Sequence, residues 1–424
     1  MKSYLKALGI GICSLMLFVG CGKEKEIENS SKEITLSIWE GTGEDYMMEL
    51  NSLSNAYKKV NPNVTLKIEK IPGADYDTAM KIRNTAQQLP DIFAVRNKHM
   101  YTYKDSVIDL SDLEAAKLNV FSEAYKINNK VIGLPMYGFN EFVYYRKSIF
   151  KEAGVEVPTT WGEFVDISTK IKATDKYIPV ALGGKDSWVV YPFNEFMPFL
   201  VSGGNDIWTK MGVDDAPFSK GKPFYTAYEM LNNYYKTKPF GDDPLGYGWD
   251  QEKSMFVSKK AAMLAAGQWF YLDLQKDLSK EELDDIGVFV LPARETKEDP
   301  FRYLVTAEVF LSIPKYSKNA AEAKEFLNWL FQSDYYKEYV KYMNVLPSVE
   351  GVEGNDNLFN ETIANIPNPE VVLQKGGDAK YRDIANFLSF DVKRMGQEML
   401  QGVDFEKYMD DLNNRWKEAR ENTK

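Results

Sequence analysis

The chain has 424 residues, enough for about two domains of ordinary size. Hydrophobic residues make up 44% and charged residues 27%, the balance of a globular protein and not of a disordered one. A net charge of -10 and a pI of about 5.1 exclude the broad basic face that nucleic-acid binding requires, so no nucleic-acid partner is expected. Both cysteines, Cys13 and Cys21, fall within the first 21 residues, and His99 is the single histidine. The body of the chain therefore offers no disulfide, no thiolate ligand and no two-histidine zinc site, and no cofactor or metal is expected. A Ca2+ ion held by carboxylates alone stays open. With no Gly-x-Ser-x-Gly elbow in the chain, His99 reads as a surface residue of the polar run Arg96-Asn97-Lys98-His99.

The amino terminus reads as an address. Lys2 and Lys6 precede an apolar run from Ala7 to Phe18, interrupted by Ser14, and small Gly20 precedes Cys21. The run is shorter than the roughly 20 residues needed to span a bilayer. Phe18-Val19-Gly20-Cys21 resembles a bacterial lipobox, with Phe18 where an aliphatic residue is usual. In lipoproteins that cysteine becomes the mature amino terminus and carries acyl chains, which would anchor the protein on the extracytoplasmic face of the cell membrane. The alternative is a plain signal peptide with Cys21 unmodified. Residues 1–20 are read as the signal and 21–33, charged and polar, as a lipidated tether.

Ile34, Leu36 and Ile38 alternate with Thr35 and Ser37, which predicts a strand. Thr42 and Asp45 have the spacing of a capping box. Met47, Leu50, Leu53, Tyr57 and Val60 then follow at helical spacing until Asn61-Pro62-Asn63 stops the run. Val64, Leu66 and Ile68 alternate again, and strand, helix, strand implies a crossover and a parallel pair. A helix from Tyr76 to about Thr85 leads to a strand over Asp91–Val95, so the first part is α/β. Further strands are predicted at Phe142–Tyr145, Val180–Leu182, Ile286–Val290 and Glu308–Ile313, with mostly helical sequence from Tyr145 to Phe301. Lys260–Ala266 reads as a buried element that Gly267-Gln268 turns outward. Ala320–Phe331 is an amphipathic helix, and the tail from Tyr381 is helical and charged.

Several short segments carry a resemblance. They are Leu89-Pro90-Asp91-Ile92, Ile132-Gly133-Leu134-Pro135, the run Tyr145–Gly154, Pro158-Thr159-Thr160-Trp161-Gly162-Glu163-Phe164, Phe256–Met263 followed by Gly267-Gln268-Trp269, Ala320–Leu330, and Leu346-Pro347-Ser348. In this order, over nearly the whole mature chain, they resemble the sugar-type (family 1) extracellular solute-binding proteins, which include the maltose-binding protein. Arg146 stands where that family usually has Asn, and Lys259 where it usually has Gly. The resemblance implies an α/β, two-lobed periplasmic-binding-protein-like fold with hinge strands. The lobes would be residues 34–140 plus 307–348 and residues 141–306 plus 349–424. It also implies the substrate-binding component of an ABC importer. Such a protein is a monomer that captures a sugar, here expected to be an oligosaccharide, and delivers it to membrane permease subunits.

A sugar presents apolar C–H faces and a ring of hydroxyls, which call for flat aromatic faces and planar carboxylate or amide groups. Ligands of parallel α/β sheets lie beyond the carboxyl ends of strands. Trp39 and Glu40 end the first strand, and Asn97 lies just past Val95, where the family often presents a hydroxyl-binding group. Tyr137 and Asn140 lie at the expected hinge, and Trp188 closes the loop-like stretch Gly183-Gly184-Lys185-Asp186-Ser187. Trp269 stands where the family commonly supplies a stacking tryptophan, and Glu308 opens the strand returning to the first lobe. Plainer roles compete with each: loop packing for Trp39 and Glu40, a hinge ion pair for Glu308, and the core for most aromatic rings. Asp91 reads as structural, closing the turn after Pro90. Rival functions are a secreted glycosidase, which needs two carboxylates at a set spacing, and an adhesive or scaffolding lipoprotein. Within the family, a polyol or amino sugar is the alternative ligand.

Overall fold

The computed structural model describes residues 31–49, 52–355 and 358–423. The signal segment, Cys21, nearly all of the tether and Leu50 lie outside the described residues. The strands are β1 (Lys32–Trp39), β2 (Val64–Ile71), β3 (Ile92–Val95), β4 (Leu134–Arg146), β5 (Ile178–Ala181), β6 (Ala261–Gly267), β7 (Ile286–Phe289), β8 (Phe301–Ser312), β9 (Leu346–Pro347) and β10 (Pro369–Leu373). They form one sheet in the order β2-β1-β3-β8-β4-β6-β5. β1 is parallel to both β2 and β3, as the two crossover helices require. The next two neighbours reverse: β8 is antiparallel to β3, and β4 is antiparallel to β8.

β4 joins the two halves of the molecule. Its first part, Leu134–Asn140, pairs with β8, and its second part, Glu141–Tyr145, pairs with β6. The predicted strand at Phe142–Tyr145 is thus only the second half of a 13-residue strand that begins at the Leu134-Pro135 landmark. The hydrophobic cores divide at the same place. The first contains β1, β3, β4 as far as Phe139, and the helices Ala320–Gln332 and Asp334–Met343. Beyond that point Val143 points into a second core with the helices Trp161–Lys172 and Pro223–Lys236, while Phe142 and Tyr144 point to the opposite face with Phe270. This is the two-residue alternation of a strand buried on both faces. The part round the first core is the first lobe, and the part round the other two is the second.

Some local expectations are corrected. The run from Met47 to Val60 is two helices, Glu44–Met48 and Ser52–Val60. Thr42 does not cap the first of them. Its hydroxyl donates to the Trp39 carbonyl at 2.8 Å, and the Glu44 carboxylate instead accepts the Gly41 and Thr42 amides at 2.8 and 3.0 Å. The backbone leaving β1 turns back on itself, through Gly43 at φ 77°, so its amides need an acceptor before the helix begins. His99 is not a plain surface residue. Its side chain is 20% exposed and lies 3.2 Å from Asp77, and burial holds its pKa down.

The two departures from the family pattern have visible reasons. Arg146 is fully buried, and its guanidinium donates to the Phe256 and Val257 carbonyls that end the helix Trp249–Val257. Lys259 has φ 61°, the left-handed conformation in which a glycine costs nothing, and its ammonium is tied to Asp285 at 2.9 Å. Asp91 is structural: its carboxylate accepts the Thr35 amide at 3.0 Å and the Ser317 hydroxyl at 2.7 Å.

Candidate ligand site at the lobe junction

β3 ends at Val95, opposite Phe310 of β8, and β6 ends at Gly267, opposite Glu141 of β4. The carboxyl ends of strands from both lobes therefore point at the middle of the two crossing strands. This is where a ligand of an open α/β sheet is held.

The first-lobe side is polar and tightly bonded. Trp39 is buried: its ring is 5.3 Å from Tyr76, and the Arg96 guanidinium lies over it at 4.2 Å. Arg96 is itself held by Asp77 at 2.7 Å. Glu40 is exposed, with Lys70 at 3.9 Å. Asn97 is buried; its amide N–H donates to Glu308 Oε2 at 3.0 Å and its Nδ2 to Thr306 Oγ1 at 3.5 Å. Tyr137 lies opposite Glu308 across the ladder and packs against the ring of Tyr339. Burial pushes the Glu308 carboxyl up to about 7, against the Asn97 amide and the Arg96 charge, which favour the carboxylate.

The second-lobe side is aromatic. Trp188, Trp249 and Trp269 form a triangle with ring centroids 5.1, 5.6 and 6.2 Å apart. Trp188 is 37% exposed and stacks on Tyr191, with 21° between the ring planes. Trp269 is half-buried and packs against hydrophobic residues of both lobes. The triangle is built by two loops that touch. Gly183 lies so close to Gly248 that a Cβ would collide with the Gly248 carbonyl. The Asp186 carboxylate takes the Trp249 amide at 2.8 Å, and the Glu252 carboxyl, pushed well up by burial, takes the Gly183 amide at 2.6 Å.

Between the two sides lie acceptors from β4. The Tyr191 hydroxyl donates to Glu141 Oε2 at 3.1 Å and accepts the Gly267 amide at 3.1 Å. Glu141 Oε1 and Asn140 Oδ1 are buried and have no hydrogen-bond partner in the described structure. Lys393 pairs with Glu195 at 3.0 Å, and Gln374 Nε2 donates to the same carboxylate at 2.8 Å. The junction can thus offer flat apolar faces on one side and charged or amide groups on the other.

The sequence matches the bacterial extracellular solute-binding protein family over residues 41–337, well over half of the chain. The chain belongs to this family. The solute-binding protein is 25% identical, over 375 residues, to a multiple sugar-binding protein of Streptococcus mutans, covering 84% of this chain and 86% of the relative. It is 23% identical, over 326 residues, to a melibiose/raffinose/stachyose-binding protein of Bacillus subtilis, covering 74% of each. Its fold is that of two-lobed solute-binding proteins. RafE in complex with raffinose superposes with a TM-score of 0.72 at 18% identity, covering 92% of this chain and 99% of that one. A manno-oligosaccharide specific solute binding protein of Bifidobacterium animalis subsp. lactis, in complex with mannotriose, gives 0.75 at 18% identity, covering 94% and 96%.

In this solute-binding protein Asn97, Tyr137, Asn140, Trp188, Trp269 and Glu308 gather at the junction. Glu40 stands at its edge, and Trp39 is beneath it, covered by Arg96. An open hollow of about 570 Å3 lies beside Glu40, lined by Asp45, Met48, Glu49, Lys70 and Tyr342. None of the expected ligand residues lines it, and the unpartnered oxygens and the tryptophans lie elsewhere, so the strand ends remain the better site. Trp249, Glu141, Tyr191, Glu195 and Lys393 escape a reading of the sequence. Glu141 alone left a signal, as a carboxylate directly before the aromatic run Phe142–Tyr145.

Proposed function

We propose that this protein is the substrate-binding component of an ABC importer, and that it takes a sugar, an oligosaccharide, between its lobes and passes it to permease subunits in the membrane. The observation that carries the reading is the tryptophan triangle beside the unpartnered oxygens of Asn140 and Glu141. Indole faces cover the apolar side of a pyranose, and carboxylate and amide oxygens accept its hydroxyls. The sugar ligands in the names of its relatives support the same class. Residues 34–140 plus 307–348 and 141–306 plus 349–424 would be the lobes, with β4 and β8 as the hinge. The division of the cores between Phe139 and Phe142 supports that split. We take the protein to be a monomeric binding protein and not an enzyme, carried on the outer face of the membrane by acyl chains on Cys21.

A thermal-shift screen against neutral, amino-sugar, polyol and acidic carbohydrates tests the ligand class. A ligand at about 1,000 times its Kd stabilises the folded state by about 4 kcal/mol. The sugar should be recovered unchanged; products of hydrolysis would favour a glycosidase instead. Cys21→Ser should release the protein from membranes, and wild-type protein already free in the medium would refute the anchor.

A further inference from the structure

The helix Phe270–Asp277, which begins directly after Trp269, has a face on each lobe. Phe270 and Leu274 are fully buried in a second-lobe core. Trp269 and Leu272 pack against the first-lobe core. Spacings of four and of three residues put each pair on its own side of one helix. The last turn continues the division with polar contacts. Lys276 lies 3.4 Å from Asp45, and Gln275 Oε1 accepts Asn344 Nδ2 at 3.0 Å. Asp45 is on the helix Glu44–Met48 and Asn344 caps the helix Asp334–Met343, both of the first lobe. The acids of the helix itself are engaged within the second lobe, where Lys253 lies 3.6 Å from Asp273 and 3.8 Å from Asp277. The first-lobe partners are tied to each other. The Tyr339 hydroxyl donates to the Thr42 carbonyl at 2.6 Å, and Gly43 lies so close to Met343 that a Cβ would collide with its sulfur.

Asp45 follows the carboxyl end of β1, and the helix follows that of β6. These contacts therefore cross the mouth of the junction and not the hinge strands β4 and β8, so hinge opening would break them. We propose that Phe270–Asp277 is a latch, in which Gln275 and Lys276 hold the second lobe against Asn344 and Asp45 and populate a closed state before any ligand arrives. A state closed beforehand consumes less of the ligand's binding energy. Trp269 and the latch share one helix, so a ligand stacked on that ring also sets the latch in place. This rests on the two-lobe, hinged reading and adds to it the element that biases closure.

Electron paramagnetic resonance distances between nitroxide labels on the full chain, with no ligand added, decide it. Ile82→Cys in the first lobe and Val213→Cys in the second, positions 65% and 59% exposed, carry the labels. Cys13→Ser and Cys21→Ser leave no other thiol. The otherwise unaltered chain should show a closed population. Lys276→Glu, at an exposed position, should lower the closed-to-open ratio at least about threefold, and adding Gln275→Ala should lower it further. Closure should not vanish, because Arg382 Nη1 of the second lobe still donates to the Lys98 carbonyl of the first at 2.7 Å. Combining Asp45→Lys with Lys276→Glu should restore the ratio, which a general loosening of the helix would not allow. A chain wholly open without ligand, a ratio that Lys276→Glu leaves unchanged, or an exchange that fails to restore it overturns the latch. The sugar-binding reading, tested by thermal shift, would then still stand. One narrow distance in every variant overturns the hinge as well.

Discussion

The two sides of the junction place tryptophan in opposite circumstances. Trp39 ends a strand flanked on both edges by β2 and β3, so its ring is closed in by Tyr76 and roofed by Arg96. Trp188 and Trp269 stand on segments that have left the sheet, one after a glycine loop and one at the start of the helix Phe270–Asp277, and their rings stay partly open. The lesson is that the carboxyl end of a strand puts a residue near the site, while the next element along the chain decides whether its face is covered.

Substitution separates the two circumstances. Trp39→Ala should act on the fold, with a loss of about 3 to 5 kcal/mol in denaturant unfolding of the ligand-free protein. A melt close to wild type would place Trp39 among the ligand residues after all. Glu308 measures the polar side next. Its folded carboxyl titrates at about 7 against an ordinary 4.5, so the folded chain holds this proton more tightly than the unfolded one. The stability it contributes is full below pH 4.5 and is lost as pH rises through 7. Glu308→Gln should flatten the stability profile over that window by at most about 3 kcal/mol. An unchanged slope would mean that the carboxyl is better solvated than its surroundings indicate.

On the aromatic side, Trp269→Ala should act on binding. Stacking a ring on a pyranose contributes roughly 1 to 3 kcal/mol, so calorimetry should show affinity about 10- to 100-fold weaker, with only a small change in the ligand-free melt. Equal affinity would pass the stacking role to Trp188 or Trp249. The smallest effect concerns the turn that leads into β6, the strand carrying Trp269. Lys259→Gly relieves a left-handed lysine and removes an ion pair to the largely buried Asp285, two terms of about 1 kcal/mol each, and thermal melting should register a net gain below about 1 kcal/mol. A clear loss would show that the Asp285 pair outweighs the strain.

Much of the fold could be read along the chain. The alternation of Ile34, Leu36 and Ile38, the helical run after it and the second alternation at Val64 lie close in sequence, and a crossover permits only the parallel pairing that β1 and β2 adopt. The end of the first helix at Met48, where Glu49 leaves the helical conformation, was not readable, because hydrophobic spacing carries on past it. The candidate site was readable only in part. Trp269 follows a motif and Asn97 follows a strand, so position alone nominated them. Trp249 becomes a site residue only because Gly183 and Gly248 let two loops meet, and Arg382 reaches Lys98 across 284 residues of sequence.

By itself, the sequence determined the α/β class and the strand, helix, strand order that opens the first lobe. Those features depend on periodicity and on neighbours within a few positions. Tertiary structure alone decided that β4 is one strand shared by two cores, that Arg96 covers Trp39, and that Lys393 pairs with Glu195. Each of these depends on which distant segments lie side by side. Burial and charge are properties of that neighbourhood, and no short window of residues contains it.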